Sequence, residues 1–167
     1  FRQLQPNKAE MTTETVFDLA SLTKPIATAT SIMILVQQGK LDPNVTVATY
    51  LPEFAQNGKD TITLRHLLTH TGGLIPDNPI EDYADGAAGA ISRIYELAPT
   101  AAPGESFDYS DVGFIVLGQI VTAVSGKDVH EFSQEHIFKP LNMAETGFLP
   151  HDALKLRAAV TQERDGH

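Results

Sequence analysis

The sequence predicts a mainly helical chain, and three observations support that fold class. Apolar residues recur at helical spacing in several segments, and glycine or proline stands where most of these segments should end. Strand signals are short, and none has hairpin spacing to a neighbour. The chain has 167 residues, of which 42% are hydrophobic and 20% charged, and it shows no internal repeat or linker-like stretch. We therefore expect residues 1–167 to form a single folding unit.

The first predicted helix runs from about Ser21 to Gln38. It should end at Gly39, because glycine readily adopts the left-handed conformation that follows many helices. Pro25 is compatible with this helix because the amide hydrogens of a first turn have no partner within the helix. A second, short helix is predicted over 63–70, with Thr63 as its cap and a glycine pair after its end.

Three further helices are predicted in the second half of the chain. Asp111 and Asp128 are suited to cap the last two, because a short carboxylate can accept the unpaired amide hydrogens of a first turn. Gly126 and Pro140 stand where those two helices should end. The three predicted segments are 84–97, 111–125 and 128–139.

Four short segments are candidates for strands. Apolar helices need a surface to pack on, and these strands are too few to supply one. We therefore expect part of the domain to be missing from this chain. The candidates are Val45–Tyr50, Thr61–Thr63, Thr146–Leu149 and Ala158–Gln162.

Charge and composition argue against several classes of function. The formal net charge is −9 and no run of Lys or Arg could follow a phosphate backbone, so we expect no nucleic-acid partner. The longest apolar run, Pro25–Val36, is too short and too polar to span a bilayer. The chain has no cysteine, which excludes thiol nucleophiles and thiolate metal sites. His66 and His70 have helical spacing but lack the adjacent glutamate of a zinc protease, so we expect them to flank or cap a helix and expect no metal.

Ser21 and Lys24 are candidates for catalysis because they stand three residues apart at a helix start. That spacing places both on one face of the helix, where the amine can reach the hydroxyl. A serine hydroxyl is a weak nucleophile until a base removes its proton, and a lysine can be that base if burial lowers its pKa. The alternative is a capping serine followed by a lysine that reaches solvent, and the spacing alone leaves that alternative open.

Further segments, taken in order with these two residues, indicate a family. FDLASLTK is followed by an apolar helix ending in LVQQGKLD, and then by YLPEF, ITLRHLLTHTGGL, PGESFDYSDVGFIVLGQIVTAVSG and IFKPLNMAETGF. This ordered set, from about Thr15 to Phe148, resembles the serine β-lactamase and penicillin-binding-protein superfamily. The resemblance is to its class C-like branch, which comprises β-lactamases, D-amino-acid carboxypeptidases and esterases.

The resemblance implies an α+β fold, in which an antiparallel sheet is flanked by helices and accompanied by a helical lobe. This chain would be mainly the helical portion. The implied activity is a serine hydrolase that forms an acyl-enzyme on an ester, amide or β-lactam carbonyl, with an esterase or D-amino-acid peptidase favoured over a true β-lactamase. The implied substrate is a small molecule or peptidoglycan-like, and no cofactor is implied. A periplasmic or secreted location is also implied, although the chain begins at Phe1 without a signal sequence.

The same resemblance assigns roles to individual residues. Ser21 would be the acylated nucleophile, Lys24 its neighbouring base, and Tyr109 the tyrosine of a Tyr-x-Asn element that can shuttle a proton. Asp111 departs from that element, because the family usually has asparagine there. A carboxylate near Lys24 would raise the pKa of the ammonium. In that case we expect Tyr109 to accept the proton and Lys24 to act through its charge.

A second departure is the family's third element, a Lys or His, a small residue and Gly, which does not appear after Tyr109. We therefore expect residues 1–167 to be an incomplete domain that lacks N-terminal and C-terminal strands. Its activity alone would be doubtful, and a complementing segment or subunit would be needed. The alternative is a non-catalytic binding or scaffold protein, against which the retention of Ser21, Lys24 and Tyr109 together argues.

The segment from Gly73 to Asp111 is strongly acidic, with eight acidic residues and one basic residue, Arg93. A solvated face is the simplest explanation. If the segment instead rims the site, it would disfavour anionic substrates relative to neutral esters and amides.

Overall fold

Helices form nearly all the regular structure in the part of the chain that the computed structural model describes, which is residues 1, 3 and 8–160. The α-helices are α1 (Thr30–Gln37), α2 (Val47–Tyr50), α3 (Leu64–Leu68), α4 (Ala87–Glu96), α5 (Asp111–Ser125), α6 (Val129–Ser133) and α7 (Asp152–Lys155). Three 3₁₀ segments (Ala20–Leu22, Pro52–Gly58 and Ile80–Tyr83) and two π-helical segments (Lys24–Ala29 and Gln134–Phe138) accompany them. The predicted mainly helical chain is therefore observed.

The first helical region begins at the candidate nucleophile. The 3₁₀ turn that contains Ser21 is followed by the π-helical segment Lys24–Ala29, which continues directly into α1. Pro25 lies in the first turn of the π-helical segment, where a missing amide hydrogen costs no helical hydrogen bond. Gly39 has a φ of +71°, as expected for a residue that follows a helix.

Side-chain caps start α3 as the sequence predicts. The Thr63 hydroxyl accepts a hydrogen bond from the His66 amide at 3.3 Å, and the Thr63 amide donates to His66 Nδ1 at 3.2 Å. This is a capping box in which histidine takes the place usually held by glutamate. His70 follows the end of α3, so the prediction that the two histidines cap or flank a short helix is confirmed.

The predicted cap of α5 is wrong by one residue. Ser110 is the cap, because its Oγ accepts the Gly113 amide at 3.0 Å, and Asp111 is the first residue of the helix. The physical reason is that the Asp111 carboxylate is turned toward Lys24 and is not available to the helix start. Gly126 ends α5 with a φ of +74°, as predicted.

The strand predictions depended on partners that the described residues do not supply. Val45–Tyr50 is wrong as a strand, because only Thr46 pairs, in a single antiparallel bridge to Thr63, and the chain then turns into α2. The predicted strand Thr61–Thr63 does not extend further, because Thr63 is already the cap of α3. Thr146–Leu149 forms turns and bends. Ala158 makes one parallel bridge to Val16, and residues 161–162 lie outside the described residues.

The core is organised around α5. This helix packs against α1, α2, α3, α6 and the segment Lys24–Ala29. Its buried residues are Val112, Gly113, Phe114, Val116, Leu117, Ile120 and Val121. In the described part of the chain no single helix is long and apolar enough to cross a membrane. Helix α5 and the segment Val129–Phe138 reach that length and apolar character only when they are taken together, and they are bent by 73° at their junction.

One face of the molecule carries an open groove of about 610 Å³ between the start of the first helical region and the last described residues. Large apolar side chains lie exposed at or near it. They include Phe17, Phe148, Leu149, Leu156 and Val160, with exposed fractions between 39% and 79%. Exposed apolar patches of this kind mark surfaces that pack against something else.

Lys59 is fully buried and ties two helical segments together. Its Nζ donates to the carbonyl oxygens of Gln56 at 2.8 Å, Tyr95 at 2.8 Å, and Leu97. Tyr95 and Leu97 lie at the end of α4, where the last carbonyls have no partner within the helix. The ammonium also lies 5.4 Å from the centre of the Phe54 ring. The buried charge is thus matched by three acceptors and one aromatic ring.

We predict that Lys59→Met lowers the free energy of unfolding by about 1–3 kcal/mol, because it leaves buried carbonyl groups without a donor. Urea unfolding followed by circular dichroism measures the change. Lys40→Met is the control, because Lys40 is exposed and the same substitution there should change stability by less than about 0.5 kcal/mol. Equal unfolding midpoints for Lys59→Met and the parent would contradict the structural role.

Candidate active site

The structure brings Ser21, Lys24 and Tyr109 together. Lys24 Nζ donates a hydrogen bond to Ser21 Oγ at 3.2 Å. The Tyr109 phenol lies beside both groups, and the Lys24 ammonium and the Ser21 hydroxyl both lower its pKa. Lys24 Nζ also lies 4.8 Å from the centre of the Tyr109 ring. A hydroxyl, an amine and a phenol thus share one cluster, although Tyr109 is 88 positions after Ser21 in the chain.

Local backbone structure holds Ser21 at the surface. Ala20 has a φ of +44°, which places a non-glycine residue in the left-handed region immediately before the serine. The Asp18 carboxylate accepts the Ala20 amide at 2.8 Å and so supports this turn. Ser21 is exposed, whereas the Lys24 side chain is only 13% exposed. The nucleophile candidate is therefore open to a substrate, while the amine beside it is largely shielded.

Hydrogen bonds to a neighbouring loop fix the segment that carries Tyr109. Ser110 Oγ donates to the Ile75 carbonyl at 2.7 Å, and the Asp111 amide donates to the Pro76 carbonyl at 2.7 Å. Ser110 is buried, so its hydroxyl serves both as a cap of α5 and as a link to this loop. Tyr109 is thereby held at the mouth of the site with 42% of its surface exposed.

Asp111 points into the site and forms an ion pair with Lys24. Burial by itself lowers the pKa of the Lys24 ammonium, but the Asp111 carboxylate and the Tyr109 phenol outweigh it, and the pKa is raised above its ordinary value. Lys24 is therefore a cation near neutral pH. Asp111 thus lies near Lys24 and raises the pKa of its ammonium, which is the arrangement under which we expect Tyr109, and not Lys24, to accept the proton.

The pKa of Tyr109 moves in the opposite direction. Hydrogen bonds with the Lys24 ammonium and the Ser21 hydroxyl lower the pKa of the phenol, against smaller opposing effects of burial and of the Asp111 charge. A phenol with a lowered pKa beside a serine hydroxyl is the arrangement that a general base requires.

His70 adjoins this cluster and was not identified as a site residue from the sequence. Its ring stacks on Tyr109 with centres 4.4 Å apart and planes 29° apart. Its Nδ1 accepts the Ser110 amide at 3.0 Å. The contact joins residues 39 and 40 positions apart, which no local pattern reveals. The available signal was that His70 lies inside ITLRHLLTHTGGL, one of the segments that carried the family resemblance.

The acidic segment begins at the edge of the site. Pro76 contacts Asp111 through the backbone, and Asp77 follows, where its carboxylate accepts the Tyr83 hydroxyl at 2.5 Å. Burial and this carboxylate raise the pKa of Tyr83 to about 12. Arg93 pairs with the Asp85 carboxylate through two hydrogen bonds, at 2.8 and 2.6 Å. Arg93 is thus paired with Asp85 and not with Asp77, which lies beside Pro76 at the edge of the site.

No group of three or more potential metal ligands occurs among the residues with a described position. The cluster itself combines a nucleophilic hydroxyl, a fixed cation and a phenol that can take up a proton once it is ionised.

Comparison with known proteins gives a consistent relationship. The β-lactamase family model matches residues 2–167. An Escherichia coli K12 protein named as a D-alanyl-D-alanine carboxypeptidase is 35% identical over 159 residues, which cover 87% of this chain and 36% of that protein. The crystal structure of a penicillin-binding protein homologue from Caulobacter crescentus superposes with a TM-score of 0.84 at 27% identity, over 96% of this chain and 44% of that one. A class C β-lactamase shares the fold, with a TM-score of 0.76 at 24% identity over 89% of this chain and 41% of that one.

These matches confirm the resemblance found from the sequence and the β-lactamase-like fold that it implies, while the sheet of that fold is not seen among the described residues. The chain spans 36% of the length of the E. coli relative. Because the family model covers all but the first residue, the chain belongs to the β-lactamase family.

Proposed function

We propose that Ser21 is the nucleophile of a serine hydrolase that acts through an acyl-enzyme. The observation that carries the proposal is the contact of the Ser21 hydroxyl with both Lys24 and Tyr109. A serine nucleophile needs a nearby proton acceptor and a fixed positive charge, which Tyr109 and Lys24 supply respectively. A scaffold protein would have no use for this cluster, so the geometry favours an enzyme over the non-catalytic alternative.

In the proposed acylation step, the Tyr109 phenolate takes the proton of the Ser21 hydroxyl while Oγ attacks the substrate carbonyl carbon. The tetrahedral intermediate then collapses, and its leaving group departs with the proton that Tyr109 returns. Water deacylates Ser21 by the same route in reverse. Lys24 stays protonated throughout and stabilises the phenolate, because its ion pair with Asp111 holds it in the charged form.

The proposal includes a source for the second oxyanion-hole donor. The Ser21 amide, at the start of the first helical region, is the candidate first donor. The second would come from a strand with a Lys- or His-x-Gly element, and we propose that residues 1–167 are the incomplete domain to which that segment belongs. The open groove and the exposed apolar side chains beside it support such a complement. The comparisons give no support for a separate subunit in this role.

For the substrate, we propose a small molecule or peptidoglycan-like compound whose carbonyl carbon can be attacked by Ser21, so that its acyl group is transferred to the serine. The D-alanyl-D-alanine carboxypeptidase name of the E. coli relative supports a peptide of this kind. The second candidate is a neutral ester or amide, which the acidic rim favours. Its support is that Ile75 and Pro76, near the start of the acidic segment, accept hydrogen bonds from Ser110 and Asp111 beside the site.

We predict that Ser21→Ala abolishes covalent labelling of the full-length protein by a fluorophosphonate probe, because the substitution removes the hydroxyl that becomes phosphonylated. Gel fluorescence measures the labelling. Ser92→Ala, which alters an exposed serine on α4, is the control and should label like the parent. Persistent labelling of Ser21→Ala would refute the assignment of the nucleophile.

We predict that Asp111→Asn shifts the rising limb of the pH–rate profile to lower pH. The Asp111 charge raises the pKa of both Lys24 and Tyr109, so its removal lets the phenol lose its proton at lower pH. Initial rates of aryl-ester hydrolysis between pH 5 and 10 measure the shift, with Asp108→Asn as a control that alters an exposed carboxylate on the same segment. Superimposable profiles for Asp111→Asn and the parent would sink the electrostatic role of Asp111.

We predict that the full-length protein hydrolyses p-nitrophenyl acetate with a kcat/KM about tenfold above that for a carboxylate-bearing analogue, because an acidic rim repels an anion. Asp77→Asn should narrow the ratio. Asp152→Asn, which removes a charge from the exposed start of α7, should not. A preference for the anionic ester would eliminate the second candidate and leave the peptidoglycan-like substrate.

A further inference from the structure

The contacts of His70 with the segment that carries Tyr109 extend over three consecutive residues. The Asp108 amide donates to the His70 carbonyl oxygen at 2.9 Å. The His70 ring stacks on Tyr109, and His70 Nδ1 accepts the Ser110 amide at 3.0 Å. One residue thus binds the backbone on both sides of Tyr109 and covers one face of its ring.

The backbone of His70 is shaped for these contacts. Its φ of +56° lies in the left-handed region, which is uncommon for residues other than glycine, although histidine, asparagine and aspartate adopt it more often than other side chains do. A sparsely populated backbone conformation persists only where surrounding contacts fix it. Here α3 ends two residues earlier, at Leu68, and the His70 amide still donates to the Leu67 carbonyl at 3.2 Å.

The hydrogen bond at Nδ1 determines the form of the imidazole. Because Nδ1 accepts a hydrogen bond from the Ser110 amide, it carries no hydrogen itself, and the neutral ring has its hydrogen on Nε2. A positively charged ring would hold a hydrogen on Nδ1 and lose this bond. Burial and the nearby Lys24 charge lower the pKa of His70, which favours the neutral ring. Phe114 and Phe107 pack beside it, with ring centres at 5.0 and 5.8 Å.

We infer that His70 is a positioning residue for Tyr109. Its Nδ1 fixes the backbone at Ser110 and its ring fixes the plane of the phenol, so that the Tyr109 hydroxyl stays within reach of Ser21 and Lys24. The inference rests on the proposed function in that it deepens the role of Tyr109. His70 makes no contact with the Ser21 hydroxyl among the described hydrogen bonds, so its effect on the reaction passes through Tyr109.

Two substitutions at His70 separate its two contacts. His70→Asn tolerates the left-handed backbone, and its Oδ1 can accept the Ser110 amide in place of Nδ1, but it removes the ring. His70→Gly also tolerates that backbone and removes both contacts. His66→Asn is the matched control, because His66 caps α3 and has no contact with Tyr109 among the described rings and hydrogen bonds.

The first readout is the pKa of the Tyr109 phenol, which does not require catalysis. It is obtained by ultraviolet difference titration of each full-length variant against the same variant carrying Tyr109→Phe. In the parent and in His66→Asn the phenol should titrate below ordinary tyrosine. In His70→Gly its pKa should rise toward the ordinary value, because the hydroxyl leaves Lys24 and Ser21. His70→Asn should lie between them.

The second readout is the rate of fluorophosphonate labelling at Ser21. We expect His70→Gly to label about 100-fold more slowly than the parent, the loss typical of a misplaced catalytic group. We expect His70→Asn to recover part of that rate, and Tyr109→Phe to set the lower limit. If His70→Gly does not fold, the comparison of His70→Asn with His66→Asn decides, and a Tyr109 pKa equal in those two overturns the inference.

The outcomes separate the inference from the function on which it rests. An unchanged Tyr109 pKa in His70→Gly overturns the positioning role, whatever the labelling rate. Parent-like labelling of Tyr109→Phe overturns the role of Tyr109 as base, while a raised Tyr109 pKa in the His70 variants would still establish that His70 positions the phenol.

Discussion

The packing of α5 against the segment Lys24–Ala29 is the constraint on which the candidate site depends. Both elements are apolar and largely buried on their facing sides, so their relative position is set by the core. Ser21 stands just before one element, and Tyr109 stands just before the other. Burial of the two elements therefore brings the two functional groups together, and the hydrogen bonds of Ser110 to its loop complete their alignment.

Electrostatics then distinguish the roles of the groups that packing has assembled. Two neighbours of Lys24, the Asp111 carboxylate and the Tyr109 phenol, favour its charged form, and together they exceed the effect of its burial. The same ammonium favours the ionised form of Tyr109. The Lys24 ammonium is thus paired permanently with the Asp111 carboxylate, and it stabilises the Tyr109 phenolate whenever that phenol is ionised. In a site with asparagine at position 111, the cation would lack its permanent partner, and a neutral lysine would be less costly.

The sequence predicted what depends on local patterns. Helix starts and ends at Thr63, Gly39 and Gly126 follow from side chains and backbone conformations close by in the chain, and they are observed. Whether Val45–Tyr50 forms a strand could not be decided in the same way, because a strand requires a partner elsewhere in the fold.

The site shows the same division between local and distant causes. Ser21, Lys24 and Tyr109 could be proposed as site residues only from the order of the matched segments, because the spacing of Ser21 and Lys24 alone left a capping serine and a solvated lysine open. The Ser110 cap could not be predicted, because it depends on Asp111 turning toward a lysine 87 positions earlier.

The groove on the open face connects the completeness of the domain to the reactivity of Ser21. Asp18 and Leu19 line the groove, and the Asp18 carboxylate holds the amide of Ala20 in the turn that presents the serine. Thr23, Ile26 and Ala27, on the same helical region as Lys24, line it as well. A segment that fills the groove would therefore pack directly on the turn that carries the nucleophile and on the segment that carries its amine. Because packed neighbours hold side chains and backbone in fixed positions, filling the groove would restrict the turn at Asp18 and Leu19, which precedes Ser21. If residues 1–167 are the incomplete domain that we propose, completion of the fold would also hold the proposed nucleophile in position.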